Sequence, residues 1–171
     1  VPSELIRIGL EEFAGVGRRF DVKGVINHIT IIDDYGHHPA EIRATLEAAR
    51  GCHFERILVL FQPHRYTRTQ HLWDDFCRAF NQADMVVLMD IYAAGEQPIS
   101  GITGQALAAA IRAAGHKNVV FHSSMQEGIE ELLRAARPGD AILTIGAGNV
   151  SRAPGELAIL LGARVSLHHA H

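Results

Sequence analysis

Five short and almost unbroken apolar runs, each followed by a helix-length amphipathic pattern, constrain this chain more than any other feature. The runs cover residues 25–33, 56–61, 85–90, 118–121 and 141–145. They are rich in Val, Ile and Leu and lack polar alternation, so they read as strands covered on both faces. The intervening patterns predict helices over 39–50, 70–81, 105–114, 125–136 and 154–161, the last closing at Gly162. Apolar residues recur in them at helical spacing, as Leu72, Phe76 and Phe80 do, and Ser124 with Glu127 has capping-box spacing. Strand starts fall about 20 to 35 residues apart, the size of one βα step. Ahead of them, residues 4–13 read as a short helix, and 18–22 could pair antiparallel with the next strand. The expectation is a Rossmann-like, doubly wound α/β fold with a mostly parallel sheet of about six strands and helices on both faces.

A chain of 171 residues suits one such domain, here expected over 1–165. Residues 166–171 form a tail holding His168, His169 and His171, and no functional role is expected of it. The net charge of −3 argues against nucleic acid or an anionic membrane as partner. No run approaches the ~18 apolar residues of a membrane span. Two cysteines, Cys52 and Cys77, make no disulfide framework and suit a reducing, cytoplasmic setting.

In open α/β sheets, ligands bind beyond the carboxyl ends of the strands. Five loops therefore carry the chemistry. In the first, 33–39, Pro39 fits the first helical position and places His38 near the N-cap. Asp34, at a strand end, suits ribose hydroxyls, although capping explains it equally well. In the second, 62–69, Arg65 and Arg68 precede a helix whose expected cap is Thr69. Two guanidinium forks there form a receptor for a carboxylate or phosphate. The third loop, 90–98, is long and polar. Its Asp90 and Glu96 are the only candidates for a cation, and no metal-ligand spacing supports one. The fourth, 122–124, is short. The fifth, Gly146-Ala147-Gly148, has half a dinucleotide fingerprint, which any tight strand-to-helix turn also wants. There is no G-x-S-x-G elbow and no G-x-x-x-x-G-K-[ST] P-loop.

The segments GVGRRF (15–20), DDYGHHPAEI (33–42), FQPHRYTRT (61–69), DIYAAGEQPI (90–99) and GAGN (146–149), in this order, resemble the C-terminal domain of the Mur ligase family of peptidoglycan synthesis, and its alanine-adding members most. The resemblance runs from about Phe13 to Leu161. It implies an ATP-dependent ligase that activates the carboxylate of UDP-N-acetylmuramate as an acyl phosphate, which the amine of L-alanine then attacks. ATP and Mg2+ would be held mainly by a central P-loop domain in cis, so this chain alone is expected to be inactive. By the same resemblance Arg19 approaches the nucleotide, and Asp34 takes its ribose hydroxyls. Tyr35, His37 and His38 lie between nucleotide and amino acid. Arg65 and Arg68 meet the amino-acid carboxylate and the developing phosphate charge, His37 joins them as a catalytic group, and Glu96 lies on the substrate rim. Two alternatives stay open: the recycling branch that adds a tripeptide, and a non-catalytic nucleotide-binding or regulatory α/β module.

Overall fold

A computed structural model of the chain describes residues 17–168, with side chains as far as residue 163. The helix expected over 4–13 and the last residues of the tail lie outside the described residues. Six strands form one sheet: β1 (Asp21–Ile26), β2 (Ile29–Asp34), β3 (Ile57–Phe61), β4 (Met85–Leu88), β5 (Val119–Phe121) and β6 (Ala141–Ile145). Their order is β1-β2-β6-β3-β4-β5. Every pair is parallel except β1 against β2. The helices are α1 (Pro39–Gly51), α2 (Tyr66–His71), α3 (Trp73–Cys77), α4 (Gly104–Ala113), α5 (Met125–Ala135) and α6 (Ala153–His168), and a 3-10 turn spans Asn149–Arg152.

Alternation along the strands builds two cores. Val59 and Phe61 of β3, with Ile32, Val86, Leu88 and Leu143, bury against Ile42 and Leu46 of α1, Phe76 of α3 and Leu107 of α4. Leu58 and Leu60, with Ile31, Val87 and Ile142, bury against Ile129 and Leu132 of α5 and Leu157 and Leu161 of α6. Both faces of the central strands are thus dry, which is why their sequences show no polar alternation. Among the described residues no helix is long and apolar enough to cross a membrane.

Three local expectations are corrected. The run 25–33 is not one strand. It is a hairpin that turns at Asn27 and His28, both in the left-handed region (φ 54° and 62°), so Ile26 faces Ile29 across the turn. The helix expected over 70–81 is two shorter ones, α2 and α3, separated at Leu72 (φ −109°, ψ 22°). Finally α6 does not close at Gly162 but continues to His168, taking the first residues of the tail with it.

The amino-terminal rim of the sheet is held by Asp140, only 1% exposed. It accepts from Arg56 Nε (3.1 Å) and from a second guanidinium nitrogen (2.6 Å), and also from the backbone N–H of Arg137 (2.8 Å). Hydrogen bonding to Asp140 raises the Arg56 pKa above its ordinary value, against the opposing effect of burial. Asp140→Ala strands these donors, and the expected cost is about 2 to 3 kcal/mol in urea unfolding. A loss below about 0.5 kcal/mol, the level of an ordinary surface change, would contradict this reading.

Candidate functional site

β2, β6 and β3 lie side by side, although the chain visits β6 last. Their carboxyl ends therefore bring the loop after β2, the glycine loop after β6 and the loop after β3 to one rim at the topological switch point. The backbone of the His64 loop also pairs with that of the loop after β4: Arg65 N–H donates to Tyr92 O (2.8 Å) and Tyr92 N–H to Pro63 O (2.8 Å).

Asp33 and Asp34 are both buried, 1% and 3% exposed. Asp34 Oδ1 accepts from Gly36 N–H (2.7 Å) and Oδ2 from Phe20 N–H (2.8 Å). Asp34 thereby fixes two backbone segments at the end of β2. Asp33 accepts from Arg18 Nε (2.7 Å) and Thr144 Oγ1 (2.7 Å).

His38 is the N-cap of α1. Its Nδ1 accepts from Ala40 N–H (3.2 Å), and Glu41 completes a capping box by accepting from the backbone N–H groups of His37 (2.9 Å) and His38 (3.1 Å). Arg19 donates to the other Glu41 oxygen (2.9 Å). Burial pushes the Glu41 carboxyl up, but the two N–H groups, Arg19 and His37 together hold it down at about 2. Because its pKa is depressed in the folded state, Glu41 contributes stability that is complete above the ordinary glutamate range and lost as pH falls from about 4.5 towards 2. Glu41→Gln is therefore expected to be destabilising at pH 7, with the gap to the parent shrinking across that window in a denaturation series. A gap independent of pH would contradict it.

The imidazoles and tyrosines form a chain of ring contacts across the rim. Tyr35 meets His37 edge-on (centroids 5.2 Å apart), His37 lies 6.2 Å from His64, and His64 stacks on Tyr92 at 5.4 Å. Arg18 and Arg19 both place their guanidinium carbons over Tyr35, at 5.4 and 5.8 Å. Hydrogen bonding settles the tautomers. His37 Nδ1 is 3.1 Å from Tyr35 O and donates to it, so that in the neutral form of the ring Nε2 is the acceptor. His64 Nδ1 lies 3.3 Å from an Arg68 nitrogen and accepts from it, leaving Nε2–H as a donor. Burial, then the charges of Arg68, His37 and Arg65, lower the His64 pKa, with Glu96 pulling the other way.

The two arginines of the second loop are not equivalent. Arg68 is half-buried and spends one nitrogen on His64, donating to its carbonyl (3.2 Å) as well as its ring. Arg65 is exposed, and its guanidinium makes no hydrogen bond or ion pair among the described residues. It is the N-cap of α2 at φ 74°, a left-handed conformation uncommon for a non-glycine residue. Thr69, expected as that cap, sits one turn inside, buried, with Oγ1 donating to Arg65 O (2.8 Å). Glu96 accepts from Thr67 N–H (3.0 Å) and Oγ1 (2.6 Å), which lowers its pKa and ties the third loop to α2.

The structure thus gathers Tyr35, His37, Arg65, Arg68 and Glu96 on one rim, with Arg19 and His38 at its α1 side. His64 was missed as a site residue. Its signal was the spacing of four to Arg68, which on a helical turn brings the pair together. Among the described residues no group of three or more His, Cys, Asp or Glu is arranged to hold a metal ion. The rim carboxylates Asp33, Asp34, Glu41 and Glu96 accept from N–H, O–H or guanidinium donors, and Asp90 accepts through Oδ1 from the N–H groups of Ile91 and Gly104 (3.3 Å each).

The rim of this doubly wound domain thus carries the exposed Arg65 guanidinium, with no hydrogen bond or ion pair among the described residues, close to the ring contact of His37 with His64. The family model described as the Mur ligase glutamate ligase domain matches residues 18–148. The chain belongs to the Mur ligase family, in which it is the C-terminal domain. It is 54% identical over 153 residues to a UDP-N-acetylmuramate–L-alanine ligase of Solibacter usitatus, covering 90% of this chain and 32% of that protein. It is 27% identical, with TM-score 0.68, to the UDP-N-acetylmuramate–alanine ligase MurC of Thermotoga maritima, covering 96% of this chain and 34% of that one. A murein peptide ligase of Psychrobacter arcticus shares the fold at TM-score 0.71 and 24% identity, over 91% of this chain and 32% of that one. The chain spans about a third of the length of the curated relatives it matches.

Proposed function

We propose that this chain is the part of a UDP-N-acetylmuramate–L-alanine ligase that receives L-alanine and completes the ATP site of a central domain in cis. The observation that carries the reading is Arg65, an exposed guanidinium that makes no hydrogen bond or ion pair among the described residues, beside the imidazoles of His64 and His37. A free amino acid presents a carboxylate and an amine, and the rim offers matching groups. Arg65 and His64 Nε2–H are donors suited to the carboxylate. Arg68 holds the His64 ring. His37 Nε2 is an acceptor suited to a proton of the α-amine. Arg19 and Tyr35 form the side of the rim assigned to the nucleotide.

On this reading ATP converts the carboxylate of UDP-N-acetylmuramate to an acyl phosphate, the alanine amine forms the amide bond and phosphate leaves. The domain's own contribution is positioning and electrostatic stabilisation, with no covalent bond to the enzyme. Mg2+ that accompanies ATP is assigned to no residue of the rim. The 54% identity to an alanine-adding relative supports L-alanine over a tripeptide. Because the 171 residues contain no P-loop, the chain by itself is expected to form no amide. The test is ATP-dependent amide formation from UDP-N-acetylmuramate and L-alanine, by the intact ligase and by this chain alone. Turnover by the chain alone would overturn the assignment.

A further inference from the structure

The segment leading into β1 is held in a conformation it would not adopt unaided. Arg18 and Phe20 both lie in the left-handed region, at φ 64° and 46°, a strained place for two non-glycine residues so close together. Hydrogen bonds to both sides of the sheet end hold them there. Arg18 O accepts from Tyr35 N–H (2.6 Å), and Phe20 N–H donates to the buried Asp34 (2.8 Å). The Arg18 side chain donates to the buried Asp33 through Nε (2.7 Å) and to Gly146 O (2.9 Å). Asp33 is itself anchored to β6 by Thr144 Oγ1 (2.7 Å). Arg18 therefore ties together three pieces of chain far apart in sequence: the incoming segment, the end of β2 and the glycine loop. Arg19, held between the two strained residues, reaches Glu41 and the Tyr35 ring as a consequence.

The geometry points to Arg18 and Asp33 as positioning residues, a latch that sets the backbone at 18–20 so that Arg19 meets the nucleotide side of the rim and the glycine loop stays in register with it. Neither has a role in the resemblance or in the reading of the rim given above. The inference rests on the ligase reading for its catalytic consequence, but the latch itself can be read separately. Both ends favour a specific lock over generic packing. The guanidinium reaches a carboxylate at the end of β2 and a carbonyl in the glycine loop, which a lysine, with one compact head, cannot reproduce with the same fork geometry.

The variant to use is Arg18→Asn, because asparagine tolerates the left-handed backbone and only the guanidinium is lost. In the intact ligase the expected result is a fall in kcat of about tenfold or more, as for misplaced catalytic groups, with the L-alanine KM within about threefold of the parent. Arg18→Lys should recover only part. The effect should shrink in an Arg19→Ala background to the part carried by the glycine loop. A full Arg18→Asn effect in that background would overturn the proposal. In parallel, hydrogen-exchange mass spectrometry of the intact ligase should show faster exchange in peptides covering 18–36 for Arg18→Asn and for Asp33→Asn. Exchange equal to the parent would overturn the latch whatever the activity. Faster exchange in a protein without L-alanine-dependent phosphate release would instead uphold the latch and sink the ligase reading.

Discussion

Replacing Arg65 by asparagine in the ligase that carries this domain is expected to raise the L-alanine KM about 10- to 100-fold while leaving the ATP KM within a few-fold. Asparagine tolerates the φ of 74° at this position, so the variant removes the guanidinium without adding backbone strain. The magnitude follows from charge-assisted hydrogen bonds to a carboxylate, about 1.5 to 3 kcal/mol, at 1.4 kcal/mol per tenfold. Arg65→Lys keeps the charge but not the fork, and should recover only part of the loss. Arg68 should behave differently. Its guanidinium already holds His64, so Arg68→Ala is expected to lower kcat as well as raise KM. Initial rates against L-alanine at saturating ATP decide the matter. A parental KM for the Arg65 variant would remove the carboxylate receptor from the account.

The second large effect is expected at Gly148. A Cβ built there would lie 2.5 Å from Gln62 Oε1 and 2.8 Å from Tyr92 Cγ. Neither neighbour can yield cheaply. Gln62 is buried and its amide is clamped, donating to Asn149 Oδ1 (2.7 Å) and accepting from Val150 N–H (3.2 Å). Tyr92 carries the stack on His64 and pairs its backbone with Pro63 and Arg65. Gly148→Ala therefore pushes Tyr92 and with it His64. A shift of about 1 Å in a positioned group can cost on the order of 100-fold in rate, so kcat/KM should fall by about 10- to 100-fold. The melting temperature should fall by only a few degrees, because an overpacked contact here costs about 1 to 3 kcal/mol. Unchanged kinetics would show that the glycine loop does not set the position of His64.

The fold was largely legible because its signals are strong ones. The strand β3 is a continuous apolar run and β6 one broken only by Thr144, and α1 and α5 announce their starts with Pro39 and with Ser124 and Glu127. What was not legible has local causes. The turn at Asn27 and His28 lacks the glycine that normally marks a two-residue hairpin, so two strands read as one. The break at Leu72 is hidden because apolar spacing continues through it. Sequence pattern placed Arg65, Arg68, His37 and Tyr35 in loops that the fold brings to one rim, but it could not tell Arg68, committed to His64, from Arg65, which makes no hydrogen bond or ion pair among the described residues. Nor could it tell that the adjacent carboxylates Asp33 and Asp34 point inward, since side-chain burial at a strand end depends on what crosses above it. Here that is the strained segment 18–20, whose hydrogen-bond partners lie up to 128 residues away.

The central claim is that the rim receives L-alanine for ATP-dependent amide formation. Phosphate release by the intact ligase with ATP, magnesium and UDP-N-acetylmuramate tests it most directly, with L-alanine in one set of reactions and a muropeptide-type tripeptide in another. The account predicts release that depends on L-alanine and not on the tripeptide. Release only with the tripeptide, or with neither, would contradict it.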